Sequence, residues 1–177
     1  IDKGVVEFSM KYLKVVCGNG FTDKRTQLII GDGKRFVEET SDKFDVVISD
    51  LTDPIGPSKA LYTKEFYQSI NKILNKNGIL QLHIELCVTR PKISRDIYKR
   101  LVSVFKHAAP LSSYVPLYGG LMAFSTNSQT IDASKVKAEV IEKRLKERGI
   151  KDLKLYNGKF HEGLYDLPNF LRNLYYK

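Results

Sequence analysis

The segment that most constrains this chain is Asp45-Val46-Val47-Ile48-Ser49 followed by Asp50-Leu51-Thr52-Asp53-Pro54-Ile55-Gly56-Pro57. A β-branched run of this kind reads as a strand buried on both faces of a sheet. Two prolines and a glycine behind it exclude helix and ladder alike, so a rigid loop must begin at Asp50. A strand of this type needs neighbours on either side.

Strand and helix patterns alternate along the sequence. Val6, Met10 and Leu13 recur at helical spacing, which predicts an amphipathic helix over residues 3–14 after a strand ending at Ile1. Leu28-Ile29-Ile30 reads as a strand running into the turn Gly31-Asp32-Gly33, and Phe36 and Val37 begin a short helix. Phe66, Ile70, Ile73 and Leu74 mark the next helix, stopped by Asn75 to Gly78. Ile79 to Glu85 is a strand, and Ile97, Leu101, Val104 and Phe105 give another helix. Ser112 to Leu117 and Leu121 to Ser125 form a hairpin about Tyr118-Gly119-Gly120. This order predicts an α/β doubly wound sheet with an antiparallel edge hairpin. Asn127 to Asp132 reads as a polar linker, then Ser134 to Arg148 as a helix capped by Gly149, then an aromatic tail. The expected division is a core over residues 1–126 and a C-terminal extension over 127–177 packed on it.

Charge and cysteine usage limit the partners. The chain has 177 residues with 29 Lys and Arg against 20 Asp and Glu, a formal charge of +9. Its densest basic run, Lys135 to Arg148, is interleaved with Glu139, Glu142 and Glu147, the pattern of a solvated helix face. No nucleic-acid motif accompanies it, so a nucleic-acid partner is not expected. The apolar runs fall far short of the roughly 20 residues that span a bilayer, so no membrane partner is expected either. Cys17 and Cys87 show neither disulfide-scaffold nor zinc spacing, which points to a reducing, cytoplasmic setting. His83, His107 and His161 share no ligand spacing, and no metal site is assigned. Cys17-Gly18-Asn19-Gly20 follows a helix rather than a strand and reads as a helix-terminal turn, not a phosphate loop.

Three acids stand at strand ends: Asp32, Asp50 and Glu85, with Asp53 three positions beyond Asp50. A lone acid in such a place commonly caps a helix or makes a turn. In open α/β sheets, however, ligands bind at the carboxyl ends of strands, and several carboxylates gathered there suit a cationic ligand.

The residues also resemble the spermidine synthase family of polyamine aminopropyltransferases. Ile1-Asp2, Gly31-Asp32-Gly33, Asp50 to Pro57, Leu61-Tyr62 and Glu65-Phe66-Tyr67 carry the likeness. It continues through Asn77-Gly78-Ile79-Leu80, Val115 to Gly120, Tyr156-Asn157, His161 and Leu167-Pro168-Asn169-Phe170. The resemblance implies a Rossmann-like, class I methyltransferase-like sheet and transfer of an aminopropyl group from decarboxylated S-adenosylmethionine to a polyamine such as putrescine. That donor is a co-substrate, and no permanently bound cofactor is implied. Asp50 would be the general base, with Asp53 holding the cationic amine and Tyr118 orienting the attacking nitrogen. Glu85 would join them, and His83 stands where many members have Gln. Asp32 would accept from the adenine amino group, with Gly33 beside it, while Ile1, Pro57 and Leu61 would line the adenine pocket. A homo-oligomer, dimer or tetramer, is also implied.

Rival readings are a methyltransferase of the same fold, a basic nucleic-acid-binding module and an inactive homologue. The resemblance places the glycine-rich donor loop, a central strand and a small β-domain upstream of Ile1. The expectation is therefore that further sequence or another chain supplies them, and that residues 1–177 alone are neither stably folded nor active.

Overall fold

Phe44–Ser49 forms strand β1, and its register with β2 (Leu74–Leu86) is parallel, pairing Val47 with Leu80 and Ser49 with Leu82. Gly119, at φ 59, makes the left-handed turn between β3 (His107–Val115) and β4 (Gly120–Ser128), so these two pair as the expected antiparallel hairpin. The sheet order is β1-β2-β4-β3, a mixed α/β sheet with the hairpin strand β3 at one edge. The computed structural model describes residues 2–177, which divide into two compact units, one ending at Thr40 and one spanning Ser41–Lys177.

Within the second unit, Thr63 accepts from Phe66 N at 3.2 Å and starts helix α4 (Lys64–Ile73). Its residues Phe66, Tyr67, Ile70 and Ile73 recur at helical spacing and all are buried. Pro91 occupies the first turn of α5 (Pro91–Val102), where its missing N–H is harmless, and Ile97, Tyr98 and Leu101 are buried. Both helices pack on β2, whose Leu80, Leu82 and Ile84 alternate along one buried face. The alternate residues Gln81 and His83 are left on the opposite, half-open face.

After the sheet come α6 (Ala138–Glu147), α7 (Gly158–Tyr165) and α8 (Asn169–Tyr176). The aromatic tail is thus largely helical. Tyr175 of α8 meets Ser94 of α5 through a buried 2.7 Å hydrogen bond. His161 is a structural histidine: Nδ1 lies 2.8 Å from the Tyr156 hydroxyl and Nε2 3.0 Å from Ala133 O. The Ala133 carbonyl can only accept, so Nε2 carries the proton and Nδ1 accepts from the tyrosine.

The first unit holds α1 (Lys3–Tyr12), capped by Asp2, then α2 (Lys14–Cys17) ending at Gly18, and α3 (Gly33–Glu39). None of these helices contributes a buried residue.

Several expectations need correction. Leu28-Ile29-Ile30 is irregular and exposed, not a strand. A strand exists only through the neighbour that takes its backbone groups, and none among the described residues pairs with this run. Strand β1 is not buried on both faces: Val46 is 55% and Ile48 73% exposed. Among the described residues it pairs with β2 alone, and the face carrying both side chains is open. Gly56 to Tyr62, given as loop from Gly56 to Pro57, is a 3-10 helix with Pro57 in its first turn. Asn127 and Ser128, assigned to a linker, close β4 and are fully buried. Their polar atoms are satisfied there: Asn127 Nδ2 donates to Leu80 O at 3.2 Å and Ser128 Oγ to Gly78 O at 2.9 Å.

Two glycines of α7 test the packing. A Cβ on Gly158 would lie 2.8 Å from the Ala138 carbonyl carbon and Cα, both backbone atoms that cannot swing aside. Gly163 has open space around its Cβ position. Gly158→Ala should cost about 1–3 kcal/mol through overpacking, whereas Gly163→Ala should gain up to about 1 kcal/mol from helix propensity. Urea denaturation of both variants beside the wild type checks the opposite signs.

Candidate active site

The parallel register carries Asp50 off the end of β1 directly beside the point where His83 follows Leu82 on β2. A cleft of about 1130 Å³ opens there. Asp50, Asp53, His83, Glu85 and Tyr118 all line it, so five of the residues singled out from the sequence come together. Ile48, Val115, Met122 and Phe124 supply its apolar surface. Leu117, beside Tyr118 in the 3-10 turn after β3, is 86% exposed and outside this lining.

The loop from Asp50 to Asp53 is held from beneath. His83 Nε2 lies 2.7 Å from Leu51 O, and the Tyr62 hydroxyl donates to Thr52 O at 2.9 Å. A carbonyl accepts only, so Nε2 of His83 bears the proton, and its Nδ1 is buried without a hydrogen-bond partner among the described residues. Ser58 Oγ contacts the carbonyls of Asp53 and Ile55 and accepts from Ile55 N at 3.1 Å. These ties fix the direction in which the loop presents its two carboxylates.

Glu85 reaches the cleft through an irregularity. Between the pairs His83–Phe124 and Leu86–Met122, β2 carries one residue more than β4. Such a bulge re-aims a side chain. Glu85 has φ 86, a left-handed conformation costly for any residue but glycine, and it is 2% exposed. Its Oε1 accepts from Leu86 N at 3.1 Å and its Oε2 lies 3.4 Å from Arg90 Nη1. The same guanidinium nitrogen donates to Asp53 Oδ2 at 2.7 Å. By contrast, no hydrogen bond or ion pair among the described residues engages the Asp50 carboxylate, which is exposed to the cleft.

Electrostatics follow from this clustering. Burial pushes the Tyr62 phenol up to about 12, and the charges of Glu85, Asp53 and Asp50 add to that. Tyr62 therefore remains a donor to the loop throughout the neutral range. The Asp53 carboxylate, and then Glu85, raises the Arg90 guanidinium further above its already high value.

The remaining assigned residues lie elsewhere. Pro57 and Leu61 are on the 3-10 helix after the loop and do not line the cleft. Asp32 and Gly33 belong to the first unit, where Asp32 Oδ1 caps α3 by accepting from Lys34 N at 2.8 Å. Ile1 lies outside the described residues. Tyr62 and Arg90 were given no role from the sequence. Arg90 sits 37 positions from Asp53, and only its place shortly after a strand-end acid could have drawn notice. Among the described residues, no group of three or more His, Cys, Asp or Glu could hold a metal ion, and no helix is long and apolar enough to cross a membrane.

Tyr62→Phe removes the donor to Thr52 O, and the loss should be about 0.5–1.5 kcal/mol at neutral pH. The phenol's folded pKa, about 12, exceeds its ordinary 10.0, so its contribution is complete below pH 10 and lost as pH rises through about 12. The variant should accordingly lose less stability than the wild type between these values. Denaturant titrations on either side of pH 10 check this.

Known proteins place this geometry. The spermine/spermidine synthase domain matches residues 1–138. A polyamine aminopropyltransferase of Nitrosomonas europaea is 37% identical over 174 residues, 98% of this chain and 54% of that protein. Another, from Sulfolobus acidocaldarius, is 39% identical over 178 residues, 97% of this chain and 58% of that protein. The chain thus spans a little over half the length of these curated relatives. The crystal structure of spermidine synthase from Thermotoga maritima matches with a TM-score of 0.82 at 28% identity, over 98% of this chain and 57% of that one. A spermidine synthase in complex with the transition state analogue AdoDATO gives 0.86 at 30% identity, over 98% and 58%. Human methyltransferase-like protein 13 in complex with SAH shares the fold, with a TM-score of 0.61 at 18% identity, over 89% and 71%. With this likeness running along nearly its whole length, the chain belongs to the spermine/spermidine synthase family.

Proposed function

We propose that this chain carries the amine-activating part of a polyamine aminopropyltransferase, which moves an aminopropyl group from decarboxylated S-adenosylmethionine to a polyamine such as putrescine. One observation supports this reading above the others. Asp50 is the only carboxylate of the cleft that the protein leaves without a cationic or hydrogen-bonding partner among the described residues, in a loop fixed on both sides of it.

The chemistry makes that arrangement useful. A sulfonium donor already carries a good leaving group, so the obstacle is the acceptor. An alkyl amine with a pKa of about 10 is protonated at neutral pH and has no lone pair to offer. Asp50 takes one proton from the ammonium. The freed nitrogen attacks the methylene carbon next to sulfur, the C–N bond forms as the C–S bond breaks, and the electron pair remains on sulfur as neutral methylthioadenosine. The new secondary amine leaves as its ammonium, and Asp50 returns its proton to solvent. Alignment of the nitrogen with the C–S bond contributes much of the acceleration.

The other residues serve this step. Tyr118 orients the nitrogen through its hydroxyl, while Asp53 and Glu85 provide negative charge further along the amine. His83 acts on the loop rather than on the amine, since its Nε2 proton is committed to Leu51 O. The apolar surface from Met122 and Phe124 weakens hydration of the ammonium and opposes the carboxylates' preference for it. The family resemblance gives Asp32 as the acceptor for the adenine amino group, with Gly33, Pro57, Leu61 and Ile1 as further donor-binding residues. The active protein is a cytoplasmic homo-oligomer.

Asp50→Asn in the full-length protein should lower turnover by roughly 10²–10⁴-fold, the range for a general base. Methylthioadenosine binding should hardly change. Steady-state kinetics with putrescine, alongside calorimetry of methylthioadenosine, checks both parts. Undiminished turnover would return Asp50 to a loop role.

A further inference from the structure

Arg90 is the only Lys or Arg among the described residues that line the cleft, and its position is fixed from several directions. Its backbone N–H donates to Leu86 O at 2.9 Å, and the residue caps the start of α5. Its Nη1 donates to Asp53 Oδ2 at 2.7 Å and lies 3.4 Å from Glu85 Oε2. Glu85 cannot follow a moving guanidinium. Its side chain is 3% exposed, its Oε1 is held by Leu86 N, and its backbone is set in the left-handed region by the bulge.

One guanidinium therefore engages two of the three cleft carboxylates, and Asp50 alone is left clear. An amine whose reacting nitrogen sits at Asp50 meets this positive charge with whatever lies along its chain. A monoamine has nothing there to repel. The distal ammonium of a diamine has to share Asp53 with Arg90 or displace it.

We propose that Arg90 is a specificity-determining residue: its charge at the Asp53–Glu85 end of the cleft sets how strongly a second ammonium on the acceptor is held. The proposal rests on the reading of the cleft as an amine site. It assigns Arg90 no contact with the reacting atoms. Arg90 is 41% and Asp53 49% exposed, so the pair is partly screened by water and the effect is moderate.

The test is calorimetric titration of the full-length protein, saturated with methylthioadenosine, with 1,4-diaminobutane and with 1-aminobutane. In Arg90→Gln the Kd of the diamine should fall roughly threefold to tenfold, the scale of a partly screened charge, while that of the monoamine stays within about twofold. Arg90→Lys, which keeps the charge, should keep the wild-type ratio. Equal shifts for both amines would reduce Arg90 to a loop anchor and overturn the proposal. Unchanged or weaker diamine binding in Arg90→Gln would overturn it too. The wild type alone also decides: with the guanidinium in place, the second ammonium should improve Kd less than about tenfold, and a hundredfold gain contradicts the proposal. Turnover is assayed separately, so a wild type without aminopropyl transfer strikes the proposed function while the Kd ratio still judges Arg90.

Discussion

The hydrogen bond from His83 Nε2 to Leu51 O, 2.7 Å long, ties the loop after β1 to the strand next to it. Tyr62 adds the second tie one residue later, at Thr52 O. Two prolines stiffen the loop further along but do not aim it, and the strand it leaves pairs, among the described residues, on one side only. Without these cross-links Asp50 would sample many directions, each with a different distance to the rest of the cleft. The apolar face of β2 matters for the same reason. Leu80, Leu82 and Ile84 bury themselves under α4 and α5, which leaves His83 on the other side, facing the loop.

Charge is distributed unevenly within the cleft, and that unevenness separates roles. Glu85 and Asp53 are engaged by Arg90, which fixes their carboxylates in place. Asp50 is left able to accept a proton. A carboxylate already bonded to a guanidinium is a poor base, because protonation would forfeit a charge-assisted hydrogen bond. Strain at Glu85, of order 1–3 kcal/mol for such a conformation, is tolerated because the backbone N–H of Leu86 and the guanidinium both hold its carboxylate.

Much of this was legible in the sequence where the signal is local. The helical spacing of Phe66, Ile70 and Ile73 reported α4, and Gly119 and Gly120 reported the hairpin turn. The strand-end acids Asp50 and Glu85, with Asp53 and Tyr118, do meet in one cleft. What escaped depends on partners distant in the chain. Leu28-Ile29-Ile30 has strand-like residues but no paired neighbour among the described residues. Asn127 and Ser128 look like a linker by polarity, yet Leu80 O and Gly78 O make their burial tolerable. Arg90 finds Asp53 only through the fold, and nothing in their spacing announces the pair.

The central claim is that the cleft strips a proton from an amine so that it can take an aminopropyl group. Mass spectrometry of the full-length protein incubated with decarboxylated S-adenosylmethionine and putrescine tests it most directly. Aminopropyl transfer predicts methylthioadenosine and spermidine in equal amounts, each absent when either substrate is withheld. A methylated amine, or no methylthioadenosine at all, would contradict it.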